Sequence, residues 1–245
     1  MYHFFAKSEN IYEKQIIIDG ADVNHMRNVL RLKEGDEILI SSGENIDYYC
    51  HITVVAEDEI TAEIDRMDEH GRELSAKIYL FQGLPKGDKM ELIIQKAVEL
   101  GATAVVPVAM KRSVVKLDDK KAQAKCKRWN AIAESAAKQS KRSILPEVTE
   151  VKTFAQAVEL AKQLDIVLLP YECAEGMSKT KELIGTLKAG QSIGVFIGPE
   201  GGFDGGELDL AAEAGFHIVT LGKRILRTET AGLMVLSVIM YELEE

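Results

Sequence analysis

Cysteine, aromatic residues and proline are all scarce in this 245-residue chain, which has three cysteines, 6% aromatics with a single tryptophan, and five prolines. Cys50, Cys126 and Cys173 lie far apart and outside any Cys-x-x-Cys pair. That excludes a disulfide framework and a zinc knuckle, and predicts a reducing, cytoplasmic setting. His3, His25, His51, His70 and His217 supply neither a His-x-x-x-His spacing nor a Ser-His-Asp order, so no metal is expected. Long apolar runs are missing too. The longest, Ala231 to Tyr241, is about half of the roughly 20 residues that span a bilayer and reads as a buried terminal helix. The start, Met1-Tyr2-His3-Phe4-Phe5, carries no basic and apolar regions of a secretion signal. No membrane partner is expected.

What is present is ordinary for a folded protein: 46% hydrophobic and 28% charged residues, which exclude a disordered or collagen-like chain. The length suits one large domain or two unequal ones, at about 150 residues each. The net charge of -9 argues, taken whole, against a nucleic-acid partner. Its distribution argues otherwise. Residues 1 to 72 hold 7 basic and 16 acidic side chains, the entire excess, and within them residues 34 to 72 alone come to -10. Lys111 to Arg142 holds 11 basic and 3 acidic residues. Such a run is either a solvated helix face or a surface for an anionic partner such as a phosphate backbone.

From Tyr2 to about Asp65 the chain reads as short strands: Tyr2 to Phe5, Gln15 to Ile18, Glu37 to Ser41, Tyr48 to Val55 and Ile60 to Ile64. Turn residues such as Asp19-Gly20 and Ser42-Gly43-Glu44 separate them, and a small β-barrel is the economical reading. One helix, Val23 to Leu32 under an Asp22 cap, interrupts it. Acidic Asp65 to Glu73 is the expected linker, placing one domain at 1–72 and a second at 73–245. In the second, short apolar strands alternate with helices, the mark of an α/β domain with a buried parallel sheet. The strands are Lys77 to Gly83, Ala104 to Ala109, Ile166 to Leu169, Ser192 to Ile197 and Ile218 to Leu221. The helices run over Asp88 to Leu100, Asp118 to Ser140, Thr153 to Leu164, Ser178 to Leu187, Gly205 to Ala214 and the carboxyl-terminal segment.

Two loops carry the chemistry. In Ile197-Gly198-Pro199-Glu200-Gly201-Gly202-Phe203-Asp204-Gly205-Gly206-Glu207, five glycines follow a buried strand and precede a helix. Glycine permits close backbone approach, so the loop can wrap a ligand with main-chain groups, whereas a merely tight connection needs only one or two glycines. Asp204 and Glu207 have the spacing of a capping box. No lysine follows the glycines as in a P-loop, and the Gly-x-Gly-x-x-Gly spacing of a dinucleotide site is absent. The second loop, Leu221-Gly222-Lys223-Arg224-Ile225-Leu226-Arg227-Thr228-Glu229-Thr230-Ala231, again leaves an apolar strand and enters a helix. Thr228 or Glu229 suits the helix start, but arginines at 224 and 227 oppose the helix dipole and point to an anionic ligand.

These two segments resemble the signature of the ribosomal RNA small subunit methyltransferase E family of the SPOUT superfamily. The likeness extends to His25-Met26-Arg27-Asn28-Val29-Leu30-Arg31-Leu32-Lys33-Glu34-Gly35-Asp36 and Glu134-Ser135-Ala136-Ala137-Lys138-Gln139-Ser140, so it covers nearly the whole chain. It implies an α/β SPOUT methyltransferase domain with a carboxyl-terminal trefoil knot, preceded by a PUA-like β-barrel that binds RNA. The implied enzyme is a homodimer that methylates N3 of a uridine in small-subunit (16S) ribosomal RNA with S-adenosyl-L-methionine, in a pre-assembled ribosomal particle. The general rule that chains do not thread loops would lead to an unknotted sheet, and the resemblance overrides that expectation.

By that resemblance the cofactor lies among Leu169, Pro170, Gly198, Pro199, Glu200, Gly201, Gly202, Leu221, Gly222, Ile225 and Leu226. Arg227 and Glu229 are the catalytic candidates, as cation for a uracil oxygen and as proton acceptor, with a helix-dipole role as the alternative for Glu229. The RNA candidates are Arg27, Arg31, Lys33, Lys86, Lys89, Arg112, Lys121, Lys125, Arg128, Arg142 and Arg224. Trp129 reads as core, and Glu99 and Gln139 as either cleft or helix surface. Two competing functions stay open: a non-catalytic RNA-binding ribosome-assembly factor, and an enzyme using another adenine-containing ligand.

Overall fold

The computed structural model describes residues 1–172 and 176–244, so Cys173 lies outside the described residues. The chain divides into two units, Met1–Glu73 with Ala137–Leu145, and Leu74–Ala136 with Pro146–Glu245.

In the first unit, β1 (Tyr2–Phe5), β2 (Gln15–Asp19), β3 (Glu37–Ser41), β4 (Asp47–Val55) and β5 (Glu59–Asp68) form one sheet. The order is β1-β3-β4-β5-β2, antiparallel except for β1 with β3. Strand geometry sends alternate residues to one face, and Ile16, Ile18, Ile38, Ile40, Cys50, Ile52, Ile60 and Ala62 meet there in a core completed by Val23 and Met26. Burial pushes the Cys50 thiol up to about 12, which keeps it protonated and inert.

The helix expected from Val23 to Leu32 takes another form. It begins at Gly20, whose φ is 72°, runs as α1 (Ala21–Asn24) and continues as a π-helical turn, His25–Val29. It ends before Arg31, which adopts a left-handed φ of 57°. Asp22 does not cap it. Its carboxylate instead accepts from Lys138 Nζ at 2.8 Å, so it has no need of a helix amide.

Half of the expected linker is also strand, since β5 continues to Asp68. At its far end Glu73 receives the Arg142 guanidinium and the amides of Ser143 and Ile144, at 2.8 and 3.2 Å. Arg142 is only 5% exposed. This corrects the reading of Arg142 as an RNA contact: its charge is spent on a buried carboxylate. Beside it, Ser41 and Ser143 donate to the two oxygens of buried Asp47, and His3 Nε2 lies 2.7 Å from Ser41 Oγ.

Burial is the main cause that lowers the His3 pKa from 6.5 to about 4, only partly opposed by the Lys138 carbonyl and Asp47. The native state therefore resists a proton that the unfolded chain accepts. His3 contributes stability above pH 6.5 that is lost as pH falls toward 4, roughly 3 kcal/mol across that window. Urea titrations of wild type and His3→Gln should show it, with the variant's stability changing distinctly less between pH 6.5 and 4.

The second unit alternates strand and helix in chain order: β6 (Lys77–Gly83), α2 (Lys89–Glu99), β7 (Ala102–Ala109), α3 (Asp119–Ser140, whose last turn belongs to the first unit), β8 (Glu147–Val148) and β9 (Lys152–Thr153). Then come α4 (Phe154–Ala161), β10 (Ile166–Pro170), α5 (Met177–Ile184), β11 (Ser192–Ile197), α6 (Gly205–Glu213), β12 (His217–Val219) and α7 (Thr228–Leu243). The sheet is parallel in the order β12-β10-β11-β6-β7-β8, with β9 also paired to β7. Phe81 and Phe196 stack at 4.3 Å in its core. Because β11 inserts between β10 and β6, the loops leaving these strands gather at one carboxyl edge, where such sheets bind ligands. Among the described residues, no helix is long and apolar enough to cross a membrane.

Candidate cofactor cleft

A cleft of about 330 Å³ opens at that edge, within the usual size range of small-ligand sites. Pro170 at the end of β10, with Tyr171 and Glu172 after it, lines the cleft, as do Ile197 to Glu200, Gly202 and Phe203 at and after the end of β11 and the stretches 220–222 and 224–228 after β12; Lys89 and Ala231 complete the wall.

Local chemistry fixes each loop. Gly202 takes a left-handed φ of 67° and donates from its amide to the Pro199 carbonyl at 2.9 Å, folding 199–202 into a turn. Asp204 then caps α6, and Glu207 accepts from the Asp204 amide at 2.9 Å, completing the expected capping box. The turn lies on the ends of β6 and β7. A β-carbon on Gly83 would stand 2.7 Å from Pro199 N, and one on Gly201 2.9 Å from the Arg112 carbonyl oxygen. After β12, Thr180 of α5 donates to the Thr220 carbonyl at 3.1 Å and accepts the Thr220 amide at 3.3 Å. Gly222 follows with a φ of 109°.

Charge converges at one side of the cleft. Lys89 Nζ lies 3.0 Å from Glu200 and 3.3 Å from Glu229. The hydrogen bond to Glu200 leads the effects that raise the Lys89 pKa, against a smaller opposition from desolvation. Desolvation pushes the Glu200 carboxyl up, but Lys89 and the amides of Glu200 and Lys86 together outweigh it and hold Glu200 below its ordinary value. Arg227 is the residue before α7 and makes no side-chain cap. Thr228 is the first helical residue, with its hydroxyl donating to the Gly198 carbonyl at 2.7 Å. Within the described residues, no carboxylate pairs with Arg224 or Arg227.

Most of the expected cofactor positions meet here, with two exceptions. Leu169 is wholly buried in the sheet core and leaves the lining to Pro170, and Gly201 faces Arg112 instead of the cleft. Glu229 stands behind Lys89. Tyr171, Glu172, Phe203 and Thr220 also line the cleft and were missed. Extending the exits of β10 and β12 by two residues would have found all but Phe203, which follows the glycine loop after β11.

The RNA candidates scatter. In the first unit Arg31 and Lys33 are exposed and Arg27 donates to the Glu57 carbonyl. In the second, Lys89 lies between two carboxylates, Lys121 pairs with Asp118 at 3.1 Å, and Arg128 with Glu91 at 2.7 Å. Arg112 reaches the Gly201 carbonyl, and Lys86 and Arg224 are exposed. Trp129 is buried. Glu99 pairs with Lys96, Gln139 is exposed, and neither lines the cleft. Among the described residues, no cluster of three metal-ligating side chains is present.

A cleft walled by glycine-rich main chain at the carboxyl edge of a parallel sheet defines an α/β enzyme with a nucleoside-type ligand site. Residues 72–240 match the family model of an RNA methyltransferase domain, and residues 18–65 that of an RNA methyltransferase PUA domain. The ribosomal RNA small subunit methyltransferase E of Bacillus subtilis (strain 168) is 41% identical over 93% of this chain and 90% of its own. A crystal structure of a hypothetical protein superposes with a TM-score of 0.91 at 40% identity, covering 99% of this chain and 98% of that one. The ribosomal RNA small subunit methyltransferase E of Neisseria gonorrhoeae, solved bound to S-adenosyl methionine, superposes with a TM-score of 0.83 at 31% identity, covering 98% and 97%. The chain belongs to the ribosomal RNA small subunit methyltransferase E family.

The close seat of the β11 loop gives a direct test. Gly83→Ala should force Pro199 outward and cost about 1–3 kcal/mol, the usual penalty for overpacking. Urea denaturation would check this; unaltered stability would mean that the loop is not held by that contact.

Proposed function

We propose that this chain methylates N3 of a uridine in small-subunit ribosomal RNA, acting as a cytoplasmic homodimer on a pre-assembled ribosomal particle, with its carboxyl-terminal segment tied in a trefoil knot. Membership of the family makes it an S-adenosyl-L-methionine-dependent ribosomal RNA methyltransferase. The observation that carries the finer reading is the meeting of Arg227, Glu229 and Lys89 beside the cleft.

The cleft suits the cofactor. Its main-chain lining at 198–200, 202 and 220–222 offers amides and carbonyls to a nucleoside, and Pro199, Leu221, Ile225 and Leu226 offer apolar flanks to a purine. Glu172 and Glu200 supply negative charge for a cationic ligand. When bound, the cofactor supplies an electrophilic methyl on a sulfonium. The protein's own task is to make uracil N3 a nucleophile, because that nitrogen carries a proton at neutral pH. Arg227 stabilises the carbonyl oxygen on which negative charge develops, and Glu229 accepts the N3 proton directly or through water. Lys89, itself in the cleft wall, holds the Glu229 carboxylate at 3.3 Å. The exposed cations Arg31, Lys33, Lys86 and Arg224 are available to phosphates.

Mapping of ribosomal RNA by mass spectrometry, from cells with and without the protein, tests the substrate. Loss of N3-methyluridine at one position is expected, and an unchanged pattern would defeat the claim. RNA binding without any transfer would favour the assembly-factor reading, and a preference for ATP over S-adenosylmethionine in calorimetry would favour another adenine ligand. Glu229→Gln should slow single-turnover transfer by about 10²–10⁴-fold if the carboxylate is the base. An unaltered rate and pH profile would remove it from that role.

The basic run makes a second, independent prediction. Lys116, Lys120, Lys125 and Lys127 have no ion-pair partner among the described residues. If they face phosphates, neutralising each should make the plot of log affinity against log salt shallower by about 0.7 to 0.9.

A further inference from the structure

One buried relay ties the two ligand loops to the start of α7. Gln82, the residue before the end of β6, is 0% exposed. Its side-chain Nε2 donates to the Gly83 carbonyl at 3.0 Å and to Thr228 Oγ1 at 2.9 Å. Thr228, itself buried, has one hydroxyl proton and spends it on the Gly198 carbonyl at 2.7 Å. The direction of the chain is therefore forced. Turning the carboxamide over would set its oxygen against the Gly83 carbonyl, and a hydroxyl donating back to it would release Gly198. Gln82 Oε1 is left facing the helix near Gly232, buried and without a hydrogen-bond partner. A buried acceptor left unmade is costly, which marks the arrangement as one held by its other contacts.

The ends of this relay are the parts that the reaction needs in register. Gly198 opens the loop after β11, and its carbonyl cannot turn toward the cleft while Thr228 holds it. Thr228 is the first residue of α7, between Arg227 and Glu229, so the same hydroxyl ties the helix start to Gly198. Each loop is otherwise fixed by separate elements: Gly83 and Arg112 support the first, and Thr180 supports the second.

We propose that Gln82 and Thr228 are positioning residues, a relay that holds the cofactor loop and the reacting end of α7 in a single arrangement. The inference rests on the reading of the cleft as the S-adenosylmethionine site with Arg227 and Glu229 at its reacting end. A purely structural hydrogen bond would lower stability and leave the folded enzyme's binding and turnover alone. The relay does more, because loss of the hydroxyl frees the Gly198 carbonyl and the first turn of α7 together.

The test compares Thr228→Val, which keeps the shape and removes the hydroxyl, with Thr228→Ser, which keeps the hydroxyl. Calorimetry with S-adenosylmethionine alone and single-turnover transfer at saturating cofactor are the two readouts. Thr228→Val should weaken binding ~10-fold, the scale of one lost hydrogen bond. It should also slow the saturated step, while Thr228→Ser stays within about threefold of wild type in both. Gln82→Met, which leaves Thr228 its hydroxyl, gives the same losses to a smaller degree and serves if the valine variant does not fold. Thr228→Val, or in its place Gln82→Met, with a lowered melting temperature but unaltered binding and rate would overturn the relay. So would a serine variant as impaired as the valine one. Wild type that fails to bind S-adenosylmethionine would sink the cofactor reading underneath it, an outcome separate from either of these.

Discussion

The β11 loop lies backbone against backbone on the ends of β6 and β7, and the cleft depends on that closeness. Pro199 rests where Gly83 has no side chain, and Gly201 rests against the Arg112 main chain. Glycine is needed at these points for space rather than for unusual torsion. Within the run 198–206 only Gly202 has a left-handed φ, whereas Gly201 and Gly83 have positions that a β-carbon would crowd. Close approach of this kind leaves main-chain amides and carbonyls as the lining, and main chain presents the same groups whatever side chains surround it. It also makes the loop sensitive to its floor, so residues outside the cleft lining, such as Gly83 and Arg112, help decide the shape of the site.

Charge shows the same dependence on tertiary contact. Counted along the chain, Lys111 to Arg142 is a strongly basic segment, yet partners distant in sequence take up much of it: Asp204 pairs with Lys111, Glu91 with Arg128, Asp22 with Lys138 and Glu73 with Arg142. Arg142 is the extreme case. Its guanidinium is enclosed with Glu73, where an unpaired charge would be prohibitively costly, so it anchors the segment that joins the first unit. A linear count measures how much charge a segment carries. Only the fold determines how much remains for phosphates.

Much of the architecture was legible in the sequence because its signals are local. Continuous apolar runs such as Val167-Leu168-Leu169 and Val195-Phe196-Ile197 mark buried parallel strands, and the Asp204–Glu207 box marks a helix start. The two glycine loops followed from the same logic and do meet at one sheet edge. What was not legible depends on distant partners. Asp22 looks like a cap until Lys138 claims it, and Leu169 looks like a wall residue until the sheet covers it. β8 and β9 have two residues each, too few to show a period, and exist because β7 offers them an edge. Ala137–Leu145 gives no sign in sequence that it belongs with the amino-terminal strands, because Glu73 and Asp47 decide that from about 70 and 96 residues away.

The charges around the cleft also bear on what it can stabilise. Among the described residues, Lys89, Arg224 and Arg227 stand there against Glu172, Glu200 and Glu229, so the side chains nearly cancel. They are not evenly mixed. Lys89 is committed to two of the carboxylates, while both arginines are exposed and unpaired beside the amino end of α7, itself the positive end of a helix dipole. The result is a neutral site with a positive side. The proposed reaction, in which a uracil loses its N3 proton before alkylation, would use that asymmetry, because negative charge moves onto the base's carbonyl oxygens only as the proton leaves. In the proposed roles, Arg227 is the fixed cation on that side and Glu229, two residues on, the carboxylate that takes the proton. Setting the two within one helix start, two residues apart with Thr228 between them, makes the separation of their α-carbons a property of the backbone.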